Sequence, residues 1–183
     1  MDDKLIPGLL VAMPNLQDPY FQKSVILLCE YHSESAFGVI INRPSSVTIK
    51  DIFVEDIPIL GNQTAQVLVG GPVQPEFLWT IHSTDYKGEN TTTISSKLSL
   101  SPVQDLIGAM VEDKGPQQFH FGCGYAGWGP GQLDRELREG AWWLTPLRED
   151  LVLDMPYDAR WEAAMETIGI DPQLTSFFAT GEA

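Results

Sequence analysis

The sequence predicts an α+β fold, one domain spanning residues 1–183, with a mostly antiparallel or mixed sheet, on three observations. The length of 183 residues suits a single domain with a sizeable core. Strand-like segments cluster early and helices come late, without the regular strand–helix alternation of a parallel α/β sheet. The composition, 43% hydrophobic against 20% charged, is that of an ordinary globular chain.

The elements follow in order. Gly8 to Met13 reads as a strand stopped by Pro14. Asp18-Pro19 opens a turn or a single helical turn, with Asp18 as N-cap and Pro19 at the first helical position. Ser24 to Tyr31 and Ala36 to Asn42 are β-branched apolar strands joined by a short polar loop, a hairpin pattern. Their near-continuous apolarity predicts burial on both faces. A short helix is expected from Thr48 to Val54, and a strand from Gln66 to the Gly70-Gly71-Pro72 corner. Phe77 to Ser83 alternates as a half-buried strand, and Thr91 to Ser95 reads as an edge strand.

Ser101-Pro102 carries the N-cap and first-position signals of a helix whose Val103, Leu106, Ile107, Met110 and Val111 share a face. Gly115-Pro116 ends it, and Gln117 to Cys123 is a strand. Leu133 and Leu137 mark a short helix ended by Gly140. Ala141 to Leu144 and Leu151 to Asp154 look like strands. Asp158 to Ile168 is a helix with Trp161, Ala164, Met165 and Ile168 inward, and Asp171-Pro172 starts a last turn.

The net charge of −14 narrows the function classes. Nucleic-acid affinity rests on Lys and Arg neutralising phosphates, and no basic cluster exists, so direct DNA or RNA binding is not expected. Residues 134–183 hold half of the negative balance, which reads as a solvated acidic surface. The longest apolar runs are strand-sized, so no membrane span is expected. The N-terminal residues lack the basic region and apolar stretch of an export signal, and the two cysteines show no disulfide framework. A cytoplasmic location is expected.

Five of the 16 glycines fall between Gly122 and Gly131. Gly122-x-Gly124-x-x-Gly127 matches the dinucleotide fingerprint by letter, but Gly129-Pro130-Gly131 interrupts the place where the helix should begin. No P-loop lysine follows either. Two readings stay open: a bend that packs closely while Tyr125 and Trp128 seat their rings in the core, or a nest of free N–H groups sized for an anion. The second needs a cation, for which Arg43 is the candidate. A structural salt bridge or a bond to loop carbonyls explains Arg43 as well.

Cys123 with His82 and His120 raises a thiol-nucleophile hypothesis, since a thiolate needs a nearby base or helix N-terminus. No motif fixes that geometry, and an imidazole within a strand is commonly structural. His32, His82 and His120 lack metal-ligand spacing, so no metal is expected. Asp134, Glu136, Glu149 and Asp150 read as surface carboxylates.

Gly8-Leu-Leu-Val-Ala-Met-Pro14, Asp18-Pro19-x-Phe21, Asn42-Arg43-Pro44, Gly70-Gly71-Pro72-Val73, His82-Ser83 and Gly124-Tyr-Ala-Gly-Trp-Gly-Pro-Gly-Gln-Leu133 resemble, in that order, the AlgH/YqgE family. The resemblance implies a compact α+β body with a bent sheet curling barrel-like between flanking helices. It implies a bacterial cytoplasmic protein similar to proteins proposed to influence transcription, and it supplies no reaction and no cofactor.

The functional expectation is a non-enzymatic binding or regulatory module acting on a protein or small-molecule partner, with any effect on transcription indirect. Its candidate binding residues are Asn42, Arg43, His82, Ser83, Gly124, Tyr125, Gly127, Trp128, Gly129 and Gln132. The alternative is an enzyme acting on a small anionic metabolite or nucleotide through the glycine-rich segment.

Overall fold

The structure is a computed structural model and describes residues 6–53 and 65–173. The first residues read for an export signal, and Val54 at the end of the expected first helix, lie outside them. In chain order the strands are β1 (Gly8–Ala12), β2 (Val25–Tyr31), β3 (Ala36–Ile40), β4 (Pro44–Thr48), β5 (Gln66–Val69), β6 (Val73–Ser83), β7 (Thr92–Thr93), β8 (Leu98–Pro102), β9 (Phe119–Trp128) and β10 (Trp142–Pro146). The helices are α1 (Ile49–Ile52), α2 (Val103–Val111), α3 (Gln132–Arg138), α4 (Glu149–Leu153) and α5 (Arg160–Thr167). The class is α+β, as the order of strand and helix signals predicts. Backbone contacts gather into two units, residues 1–42 with 126–183 and residues 43–125.

In the first unit the order β10–β1–β2–β3–β9 is antiparallel throughout. Leu10, Ala12, Ile26, Leu28 and Ile40 pack on one face with Trp128, Leu133 and Trp142. The alternate residues Leu9, Val11, Val25 and Leu27 are enclosed as well. α5 packs on β1 and β2, and its Trp161 indole donates to the Ala12 carbonyl at 2.8 Å. Cover on both faces is the physical reason these strands are unbroken apolar runs.

One expected strand is corrected in this unit. Leu151 to Asp154 lies in and just after helix α4, with Leu151 and Val152 buried. A short apolar run fits a buried helix turn as well as a strand, and Glu149 and Asp150 supply acids suited to a first turn. The last helix starts at Arg160, after a 3-10 turn over Tyr157–Ala159, with Trp161, Ala164 and Met165 inward as expected.

In the second unit the order is β4–β5–β9–β6–β8–β7, with β5 and β9 parallel and the other pairs antiparallel. α1 and α2 bury Ile49, Val103, Leu106 and Met110 against Val67 and Phe121. Thr48 and Asp51 form a capping box on α1. Ser101 belongs to β8 rather than capping α2, whose N-cap position is Pro102, and Val111 is 45% exposed rather than inward. β4, Pro44-Ser-Ser-Val-Thr48, carries too few apolar residues in alternation to announce itself, whereas β8 alternates as Leu98-Ser-Leu100-Ser101 and is masked by the helix-start pattern of Ser101-Pro102 that overlaps it.

Candidate functional site

The glycine-rich segment is mostly strand. β9 continues through Trp128, and α3 begins only at Gln132 after Gly131 at φ 67°. Gly122, Gly124 and Gly127 therefore meet strand neighbours, not the N-terminus of a helix. The electrostatic basis of the dinucleotide fingerprint is missing from that position.

What Gly122 accommodates, together with Gly70 before β6, is the ring of Trp79 from β6, whereas a Cβ on Gly124 would meet the Gly71 carbonyl at 2.4 Å. A Cβ on Gly122 would fall 2.1 and 2.2 Å from carbons of that ring, and one on Gly70 would fall 2.6 Å from it. Gly124, at φ 71°, turns its carbonyl to accept the Trp79 indole N–H at 2.7 Å. Trp79 is 1% exposed. The close-packing reading is right in kind and mistaken in the ring, because the side chain that fills the space comes from another strand 45 residues away. Sequence offers no signal for that distant partner.

In the first unit, Trp128 is buried as expected, and its environment corrects the surface reading of two acids. Glu136 Oε2 accepts from the indoles of both Trp128 and Trp142 at 2.9 Å, while Oε1 accepts from Gln132 Nε2 at 2.9 Å. The two indole rings meet edge to face, with centroids 6.3 Å apart. Gln132 Oε1 in turn accepts the Gly129 N–H at 3.1 Å. Asp134 accepts the Tyr31 hydroxyl. Trp128, Gln132 and Glu136 recur every four residues, so one face of α3 and the strand end before it share a single network.

Asn42 is committed elsewhere. Its Oδ1 accepts the Val25 N–H and its Nδ2 donates to the Lys23 carbonyl, both at 2.8 Å. Trp128 pairs with Ala36, so Asn42 lies six residues further along the chain, about 20 Å of extended backbone.

The second unit holds Arg43, His82, Ser83, Gly124 and Tyr125. The Arg43 carbonyl accepts the Val69 N–H at 2.8 Å. Tyr125 is opposite Val73 at the start of β6, whereas His82 is opposite Phe119 near its end. Within this unit, then, the glycine end and the histidine end lie apart along the sheet.

His82 is wholly buried. Its Nδ1 lies 2.8 Å from the Ser83 carbonyl, which can only accept, so the ring proton sits on Nδ1. Nε2 then accepts from the Ser101 hydroxyl at 2.8 Å. Ser101 accepts from Thr91 at 2.7 Å, and Thr91 accepts the Gly88 N–H at 2.8 Å. Burial keeps the imidazole pKa below its ordinary value, so the ring is neutral at physiological pH. Ser83 uses its hydroxyl to bond Asp85 and accepts the Gln118 N–H.

The thiols are correspondingly quiet. Burial pushes Cys29 up to about 12, and also raises Cys123. A thiolate nucleophile requires the opposite shift. Among the described residues no cluster of three or more metal-ligating side chains occurs, and no helix is long and apolar enough to cross a membrane.

Comparison with known proteins agrees with this architecture. A family model described as AlgH-like matches residues 9–173. A UPF0301 protein of Anaeromyxobacter dehalogenans (strain 2CP-C) is 40% identical over 177 residues, covering 92% of this chain and 90% of its own. One from Chromobacterium violaceum is 37% identical over 170 residues, with 91% of each chain covered. The solution structure of the AlgH protein from Pseudomonas aeruginosa is similar with a TM-score of 0.78 and 29% identity, over 100% of this chain and 97% of that one. A crystal structure of a Corynebacterium diphtheriae protein shares the fold at a TM-score of 0.73 and 24% identity, over 88% and 86% of the two chains. By the extent of the family match and the identity of these bacterial relatives, the chain belongs to the AlgH-like family.

Proposed function

We propose that this protein is a non-enzymatic binding or regulatory module, acting in the cytoplasm on a protein or small-molecule partner. Any influence on transcription would be indirect, because the net charge of −14 opposes approach to the polyanionic backbone of a nucleic acid. One observation carries the reading: the groups best suited to chemistry are spent on holding the fold. Both ring nitrogens of His82 are bonded internally, the Cys123 thiol is pushed away from ionisation, and both oxygens of Glu136 are filled.

The chain is taken to work as one AlgH-like domain over residues 1–183, supported by a family match that runs through both units. Of the candidate residues, those with exposed or half-exposed surface are proposed for contact. They are Asn42, Gly127, Gly129 and Gln132 in the first unit, and Arg43, Ser83 and Tyr125 in the second. The buried candidates, Trp128 in the first unit and His82 and Gly124 in the second, are proposed to support the contact residues of their own unit.

Thermal-shift screening against nucleotides and acidic metabolites tests the reading. A ligand that binds only the native state at a hundred times its Kd adds about 2.7 kcal/mol of stability. The expected result is a stabilising compound that is recovered chemically unchanged after prolonged incubation. Recovery of a converted product would overturn the non-enzymatic assignment.

A further inference from the structure

Arg160 opens α5 with none of its surface exposed. Its Nε donates to the Met155 carbonyl at 3.0 Å and its Nη1 to the Ile41 carbonyl at 2.6 Å. The guanidinium carbon stands 4.7 Å from the centre of the Tyr157 ring. Nη2 is buried and meets no acceptor among the described residues. Every one of these partners is uncharged. A guanidinium has five N–H donors, and the side formed by Nη2 and the second Nη1 hydrogen is the planar fork that carboxylates and phosphates match.

Desolvation lowers this pKa to about 10, so the group is still a cation at neutral pH. A buried charge without a counter-charge is costly, and an apolar side chain of similar volume would fill the space without that cost. The charge itself therefore calls for a use.

A second cation stands at the same end of the sheet. Lys23, at φ 54°, holds its Nζ 5.6 Å from the centre of the Trp161 ring, on the residue next to Arg160. The Lys23 carbonyl accepts from Asn42, the residue directly after the Ile41 that receives Arg160. Asn42 thus ties the supports of both cations together, in a chain that is otherwise strongly acidic.

We propose that this end of the first unit binds a small oxyanion, a carboxylate or a phosphate group, which Arg160 receives on the unfilled side of its buried guanidinium and Lys23 attracts from the rim. Tyr157, half-buried on a three-residue 3-10 turn, is the side that yields to admit it. Asp154 and Asp158 are exposed on the flanking turn and repel negative charge, which favours a small ligand over a polyanion. The site is independent of whether the protein is a binding module or an enzyme.

The test is nitrogen-15 NMR of the native chain, titrated with inorganic phosphate and separately with acetate, against sodium chloride at matched ionic strength. The Arg160 Nε–H and Trp161 indole signals should shift saturably with at least one oxyanion and stay still with chloride. Saturation by phosphate alone assigns a phosphoryl ligand, and saturation by acetate alone a carboxylate. Lys23→Ala, at an exposed side chain, should weaken binding roughly two- to fivefold. Arg160→Lys retains charge without the fork and should weaken it on the order of tenfold. Should Arg160→Lys fail to fold, the wild-type and Lys23→Ala titrations decide alone. Signals unmoved by both oxyanions, or moved equally by chloride, overturn the proposal.

Discussion

Replacing Gly122 with alanine probes the packing that organises the second unit. The added carbon would sit 2.1 Å from the Trp79 ring, where ordinary contact begins at 3.4 Å, so the indole must retreat by roughly the difference. Trp79 is 1% exposed and has nowhere open to go, and its 2.7 Å bond to the Gly124 carbonyl would break on the way. Overpacking of this kind costs about 1–3 kcal/mol, and leaving a buried donor and acceptor unpaired about 1–3 more. The total of about 2–6 kcal/mol is a large part of a typical domain's 5–15. Urea unfolding followed by far-ultraviolet circular dichroism measures it. The same substitution in a Trp79→Phe background should cost less than about 1 kcal/mol, because the clashing atoms are gone, a coupling that only neighbours show. A Gly122→Ala protein within about 0.5 kcal/mol of wild type, or an equal cost in both backgrounds, would refute the packing account.

Gly108, exposed in α2 where a Cβ meets nothing, should behave oppositely: Gly108→Ala should raise stability by about 0.5–1 kcal/mol in the same urea assay. Glu136→Ala strands two buried indole donors and should cost about 2–4 kcal/mol, with a shift in tryptophan emission. His82 has a folded pKa below its ordinary 6.5, so the unfolded chain binds more protons below that pH. The stability it confers is whole above pH 6.5 and is lost as pH falls from there through the folded value; His82→Asn should flatten the urea midpoint between about pH 7 and 5. The depressed carboxylates Asp51, Asp85 and Asp150 act only below their ordinary 3.8. With both thiols raised, iodoacetamide should alkylate native Cys123 and Cys29 more slowly than a free cysteine at neutral pH.

Several elements were legible because their causes are local. The unbroken apolarity of Val25–Leu28 and Val39–Ile41 announced strands covered on both faces, and α5 supplies part of that cover. The stripe of Trp161, Ala164 and Met165 announced a helix, and Thr48 with Asp51 capped another. A short apolar run fits both periods, and Leu151–Leu153 is helix; a cap signal can also overlap a strand, and Ser101 belongs to β8 and gives its hydroxyl to His82 instead of a helix end. The candidate site was legible only as residue types. Glu136 and Asp134 had the look of surface acids, since nothing in a local window shows two indoles or a tyrosine arriving from other elements.

The chain's own letters determined the class of fold, the strands buried on both faces and the family, since periodicity, punctuation and motif order are written within short stretches. Only the tertiary structure decided what Gly122 of β9 is for. It leaves room for the ring of Trp79 from β6, whose indole N–H also reaches the Gly124 carbonyl 45 residues away. It likewise decided that Arg160, one charged letter in an acidic tail, stands buried with a donor to spare. Burial and partnership are properties of distant residues brought together, and no window of sequence contains both partners.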